Sequence, residues 1–331
     1  MADNDVTAPH VMACMEVWGG NRAIDNGVVM PGLDAWVYSL PFQSTGPDDG
    51  GGDIHYVTSC ATGRITRLIV ADVSGHGAPV ARAADALRRL MRRHSNYIDQ
   101  SRLVEAVNRE FNEIGEDALG EGGAMFATAV IATYFAPTDE LAISNAGHPR
   151  PLRFDARAKR WGRVEAPEGG RAGPSNLPLG VLEETRYPAS LTSLRPNDLV
   201  LFYTDSLIET KDAHGRLLGT DGLIDHLNRL DPARPETLVR GLLAAIGHAE
   251  DGSPIEFDDD VTALLIRRNA LKPRPSLGLA MLSGWRILRE AVRSILPGRP
   301  PASFPELTMR SIGGAMNRAL NGRGPEGSGH V

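Results

Sequence analysis

The sequence predicts an α+β fold in which two antiparallel sheets are covered by helices. Three observations point there. Apolar, β-branched runs come in closely spaced pairs, as in Ile54 to Cys60 and Ile65 to Asp72, joined by turns too short for a crossover helix. Stretches with helical spacing also come in pairs and fall between the strand pairs rather than after every strand. With 331 residues, 42% of them hydrophobic, the chain can bury a large core.

The elements follow in order. Up to about Ser44 the chain holds two short apolar stretches, Met15 to Trp18 and Ala35 to Leu40. Gly19, Gly20, Asn26, Gly27, Pro31 and Gly32 punctuate turns between them. The loop STGPDDGGGD, Ser44 to Asp53, leads into the hairpin, whose second strand RLIVADV is apolar enough to be buried. Val80, Ala83, Leu87, Met91 and His94 then form one helical stripe, with Pro79 where a helix start tolerates it. Leu103, Val104, Val107, Phe111 and Ile114 mark a second helix. Strands are expected at Ala127 to Phe135, Glu140 to Ser144 and Asp198 to Thr204, with residues 155–180 as a Gly- and Pro-rich loop. Two more helices, Gly222 to Leu230 and Pro235 to Ala249, precede a last strand, Val261 to Ile266. The expected divisions are an N-terminal segment packed on the core (1–44), a main domain (45–268) and a basic tail (269–331).

Composition narrows the function. Charged residues make up 23% and aromatics 5%, which excludes a disordered chain. Cys14 and Cys60 are too few for a disulfide framework or a thiolate metal site and fit a reducing compartment, a single bridge between them being the alternative. The N-terminus lacks the basic-then-apolar pattern of an export signal, and no apolar run is long enough to span a bilayer. A soluble, cytoplasmic protein is expected. The net charge is −6, but residues 271–331 hold nine Lys/Arg against three acids, leaving −12 on residues 1–270. An acidic body disfavours nucleic acid as a partner and suits divalent cations.

Aspartates at strand ends carry the chemical signal. Asp53 ends GGGD, Asp72 ends RLIVAD, Asp205 follows LVLFYT, and Asp258, Asp259 and Asp260 precede VTALLI. An aspartate at the mouth of an apolar strand is costly unless it is paired, hydrogen-bonded or bound to a cation. Taken singly, each is more often a turn or cap residue satisfied by backbone amides. Together they make a site for hard divalent ions only if they meet in space.

Seven segments supply a resemblance. GGGDIHYV, LIVADVSGHGAPVA, AMFATAVIATY, ISNAGHPRPL, NLPLGVLEE, LRPNDLVLFYTDSLIET and DDDVTALLI occur in the order found in the SpoIIE-type bacterial branch of the PP2C (PPM) metal-dependent serine/threonine phosphatases. The chain resembles that family from about Gly50 to Arg267. The resemblance implies a PP2C-like four-layer αββα sandwich and a centre of two ions, Mn2+ or Mg2+. Their ligands would be Asp53, Asp72, Asp205 and Asp259, with Asp260 one register away and the Val73 carbonyl as a further donor. A hydroxide bridging the metals would attack phosphorus directly, without a phosphoenzyme. The implied substrate is a phosphoserine or phosphothreonine on a bacterial regulatory protein, such as an anti-sigma-factor antagonist, within signal transduction.

Secondary residues carry two readings each. His76 is placed to protonate a leaving alkoxide, or is a turn histidine bonded to backbone. His148 in NAGH reads as a turn organiser, and Gly75 and Gly77 as backbone freedom near the metals. Arg22 is the one candidate for a phosphate-binding arginine. Ser206 stands where the family usually has glycine, implying backbone strain if that position needs a positive φ. In the tail, Leu277, Met281, Leu288, Val292 and Ile295 trace a helical face that suits packing on the body better than contact with a membrane surface. The rival functions are a non-catalytic partner-binding module, which predicts loss of a metal aspartate, and a binuclear-metal phosphoesterase for small molecules.

Overall fold

The computed structural model describes residues 10–12, 16–42, 50–59, 63–75, 78–95, 97, 99–119, 125–165, 176–211, 216–247 and 257–272. Thirteen strands and five helices are assigned among them. They run β1 (His10–Val11), β2 (Val17–Gly20), β3 (Ile24–Met30), β4 (Leu33–Leu40), β5 (Asp53–Ser59), β6 (Ile65–Val73), α1 (Ala78–Arg93), α2 (Gln100–Leu119), β7 (Ala127–Phe135), β8 (Glu140–Ala146), β9 (Leu152–Asp155), β10 (Arg160–Arg163), β11 (Ser190–Ser193), β12 (Leu199–Tyr203), α3 (Ser206–Glu209), α4 (Gly219–Asn228), α5 (Pro235–Ile246) and β13 (Val261–Arg268).

One sheet has the order β1-β3-β4-β13-β12-β9-β10 and the other β11-β8-β7-β6-β5-β2. Successive strand residues point to opposite faces, so each central strand feeds two cores. On β6, Leu68 and Val70 enter the space between the sheets, while Ile69 and Ala71 pack outward under α1 and α2 against Leu87, Met91, Val107 and Phe111. On β12, Val200 and Phe202 join the inter-sheet core; Leu199, Leu201 and Tyr203 face Leu223, Leu227, Leu238 and Leu242 of α4 and α5. Three apolar layers therefore separate four structural ones, as the expected αββα sandwich requires. Among the described residues no helix is long and apolar enough to cross a membrane.

The structure departs from the sequence reading in four places. Gly19, Gly20, Asn26 and Gly27 do not mark turns: β2 runs through the first two, paired with β5, and β3 through the others, paired with β4, with the Trp36 indole against Gly27 where a side chain would sit. The expected loop 155–180 contains β10, hydrogen-bonded to β9. Its one buried side chain is Trp161, tilted against Phe154, and its charged neighbours hid the pattern. The edge strand β11 has no buried residue and so no apolar signature. The sheets are antiparallel except at one edge, where β1 pairs with β3 in parallel. The helix expected at residues 277–295 lies outside the described residues, as do Cys14 and Cys60.

Candidate metal centre

Strand register builds the first half of the site. In the β5–β6 ladder Asp53 stands directly opposite Asp72, and the row continues to Thr128 on β7. The second half comes from the other sheet. Antiparallel pairing of Tyr203 with Ala263 brings the end of β12 beside the start of β13, so Asp205 and Asp259 emerge at one edge.

Hydrogen bonds stitch the two halves together. Thr204 Oγ1 accepts from the Thr262 amide at 2.9 Å and donates to Asp53 Oδ2 at 2.9 Å. Asp260 accepts three backbone N–H groups: Phe42 on Oδ1 at 2.6 Å, and Gly52 at 2.6 Å and Asp53 at 3.1 Å on Oδ2. That approach is possible only because residues 51 and 52 are glycines. A methyl group on Gly51 would overlap the Asp260 carboxylate, and one on Gly52 would lie 2.8 Å from the Val73 carbonyl oxygen.

The electrostatics are one-sided. Burial pushes the Asp53 carboxyl well above the usual carboxylate range, and the charges of Asp72 and Asp260 add to the rise, against hydrogen bonds from Thr204 and Thr262. Asp72 is pushed up to about 7 by burial, then by Asp205, Asp259, Asp260 and Glu209. Asp259, at the rim, is raised by partial desolvation, with the charges of Asp260 and Asp205 adding and the Asp260 amide opposing. Every charge named as acting on Asp72 is negative, so a cation would stabilise the ionised set. The donors are all oxygen, the chemistry that Mg2+ and Mn2+ take. Among the described residues no three acidic, histidine or cysteine side chains already surround one point as a finished cation cage. The acids meet as an overlapping field.

Asp53, Asp72, Asp205, Asp259 and Asp260 are thus brought into one neighbourhood, with the Val73 backbone beside Gly52. Asp258 is exposed outside these contacts. His76 and Gly77 lie outside the described residues; Gly75 has φ +106°. Ser206 opens α3 and is not among the positive-φ residues, so the strain expected at that position is not found. Its hydroxyl instead sits 3.4 Å from Thr204 Oγ1.

His148 organises the NAGH turn as expected. Asn145 bonds both its amide and its carbonyl, and the imidazole Nδ1 meets Thr128 Oγ1 at 2.8 Å. Burial pushes this imidazole down to about 3, so it is neutral at physiological pH. Two participants were not singled out in the sequence. Glu209 acts on Asp72 from the last position of α3, four residues after Asp205, a spacing that marks one helix face. Thr204 gave no signal, because its role arises only where the sheets meet.

The family model described as Stage II sporulation protein E (SpoIIE) matches residues 62–269, more than half of the chain. The chain belongs to the SpoIIE family. Its fold is shared with the RsbU and RsbW domains of a Mycobacterium tuberculosis protein, at 28% identity over 81% of this chain and 70% of that one, with a TM-score of 0.57. The SiaA-PP2C domain of Pseudomonas aeruginosa matches at 17% identity, covering 70% and 84%, with a TM-score of 0.54. The PP2C phosphatase domain of the cell fate determinant SpoIIE from Bacillus subtilis, solved with a fragment of its regulatory domain, matches at 14% identity, covering 77% and 64%, with a TM-score of 0.53. The last two likenesses are of fold. The architecture is that of PP2C-type phosphatase domains, and phosphatase is the functional class that family membership carries.

Proposed function

We propose that the chain hydrolyses phosphoserine or phosphothreonine on a regulatory protein, using two divalent cations and no phosphoenzyme. The observation that carries this reading is the Asp53–Asp72 pair of one sheet facing the fields of Asp205 and Asp259 from the other. Asp53, Asp72, Asp205 and Asp259 would hold the ions, with the Val73 carbonyl as a further donor. Asp260 is assigned a different part, since its oxygens already accept three backbone amides and fix Gly52 and Asp53 in place. Bound there, such ions supply a nucleophile at neutral pH and screen phosphoryl charge.

The remaining residues orient the donors. Thr204 holds Asp53 Oδ2, and Thr128, beside Asp72, is tied to the neutral His148. We place the activity within residues 45–268, with strands from residues 10–40 completing both sheets. A protein substrate within a switching pathway, such as an anti-sigma-factor antagonist, is supported by the Mycobacterium relative, in which RsbU and RsbW domains occur together.

The test is Mn2+- or Mg2+-dependent release of phosphate from a phosphoseryl peptide. Asp72→Asn and Asp205→Asn are each expected to lower the rate at least about a hundredfold while the protein still unfolds cooperatively. Full activity in both variants would overturn the assignment.

A further inference from the structure

A cleft of about 790 Å³ opens between the β2–β3 turn, β5 and α1, and none of the site's aspartates lines it. Its charge is opposite to theirs. Arg22 from the turn and Arg82, Arg88 and Arg89 from α1 line it, against one acid, Asp85. The helix places them there because positions 82, 85 and 88–89 recur on one face, while Val80, Ala83, Leu87 and Met91 bury another.

Asp85 does not cancel this charge; it arranges it. One carboxylate oxygen accepts from Arg88 Nη2 at 2.5 Å and the other pairs with Arg89 Nη1. Each guanidinium carries five N–H donors, so most remain for a ligand. The two side chains are 40% and 59% exposed. Arg82 is exposed and makes no ion pair among the described residues. Gly19, Gly20 and Gly50 also line the cleft, leaving room for a polypeptide.

The cleft is joined to the site. The Gly51 amide donates to the Asn21 carbonyl at 2.8 Å, and Asn21 Nδ2 donates back to the Gly51 carbonyl at 3.0 Å. His55, which also lines the cleft, is two residues along β5 from Asp53, about 7 Å at strand rise.

We infer that this arginine cleft binds a carboxylate-rich segment of the phosphoprotein substrate, about two to four residues from the phosphorylated side chain. The inference rests on the protein-phosphatase reading above and adds how a substrate is chosen. Planar guanidinium forks recognise carboxylates in pairs, and a positive cleft attracts an acidic chain.

The experiment uses two fluorescent phosphoserine peptides of equal length, one flanked by four glutamates and the other by four glutamines. Their affinities for the full chain are measured by anisotropy with Mn2+ present, and turnover is followed in parallel. The glutamate peptide is expected to bind at least tenfold more tightly, and the preference to collapse near about 0.5 M NaCl. In Arg82→Ala/Arg89→Ala, both changes being at exposed positions, the two affinities converge. Equal binding of the two peptides by the unmodified chain, or an undiminished preference in the double variant, overturns the inference. Absent Mn2+-dependent turnover of either peptide or of p-nitrophenyl phosphate would count against the phosphatase reading instead, and the binding comparison would still decide the cleft.

Discussion

Asp72 and Asp260 are both acids at strand ends, yet their surroundings assign them opposite parts. Asp72 is crowded by negative charge, whereas Asp260 is saturated with amide donors. The folded pKa of Asp72, about 7, lies above the ordinary carboxylate value, so between the two the folded state holds a proton that the unfolded chain has lost. Its contribution to stability therefore falls as pH rises toward 7, and above that pH the full cost of the ionised group is present. Metal-free Asp72→Asn is expected to be more stable than the unmodified chain at pH 8, by roughly 1–3 kcal/mol, with the gap narrowing at pH 5. Calorimetry in a chelator at both pH values checks this. Asp260→Ala should behave in the opposite sense. It strands three backbone N–H groups and should cost about 2–5 kcal/mol in urea unfolding at any pH near neutral. Asp259→Ala, at the exposed rim, should cost under about 1 kcal/mol while Mn2+ affinity, followed by titration calorimetry, drops tenfold or more.

At the scale of elements, the NLPLGVLEE segment shows how a motif can serve architecture. The fully buried Asn108 of α2 accepts from the Gly180 amide at 2.9 Å and donates to the carbonyls of Leu182 at 2.9 Å and Glu183 at 3.0 Å. Asn112 adds a bond to the Gly180 carbonyl at 3.0 Å, and Leu179 exchanges backbone bonds with Ala127 of β7. The segment thereby ties a helix to the strand that carries Thr128. Asn108→Leu should destabilise by about 2–4 kcal/mol and speed amide exchange across residues 179–185, as mass spectrometry would read. Such ties explain what the sequence revealed. Strands β6, β7, β12 and β13 were legible almost to their ends because alternate residues fill two different cores. Strands β3, β10 and β11 were not, for each lies toward a sheet edge or carries glycine and charge. The candidate site was legible as strand-end aspartates, since Asp53 and Asp72 share one hairpin. Thr204, Glu209 and the amide cradle of Asp260 were not, because nothing local to them encodes the meeting of two sheets.

Across the whole molecule, the proposed ligands divide between the sheets: Asp53 and Asp72 on one, Asp205 and Asp259 on the other. Ions held by all four would act as a cross-link, stabilising the folded chain by mass action. Saturating Mn2+ should raise the melting temperature of the unmodified chain by several degrees, and removing a donor from either side, as in Asp53→Asn or Asp205→Asn, should abolish most of that rise. A loss confined to variants of one sheet would mean that the cation does not bridge.

The pairing of Asp53 with Asp72 has an outcome for how errors are tolerated. Sliding that ladder by a single position would separate the two acids and in the same stroke turn Ile54 and Tyr56 away from the helices and into the wrong layer. A chain that assembled off by one could not persist as a well-formed but inert copy; quality control of the fold and proofreading of the chemistry are one inspection.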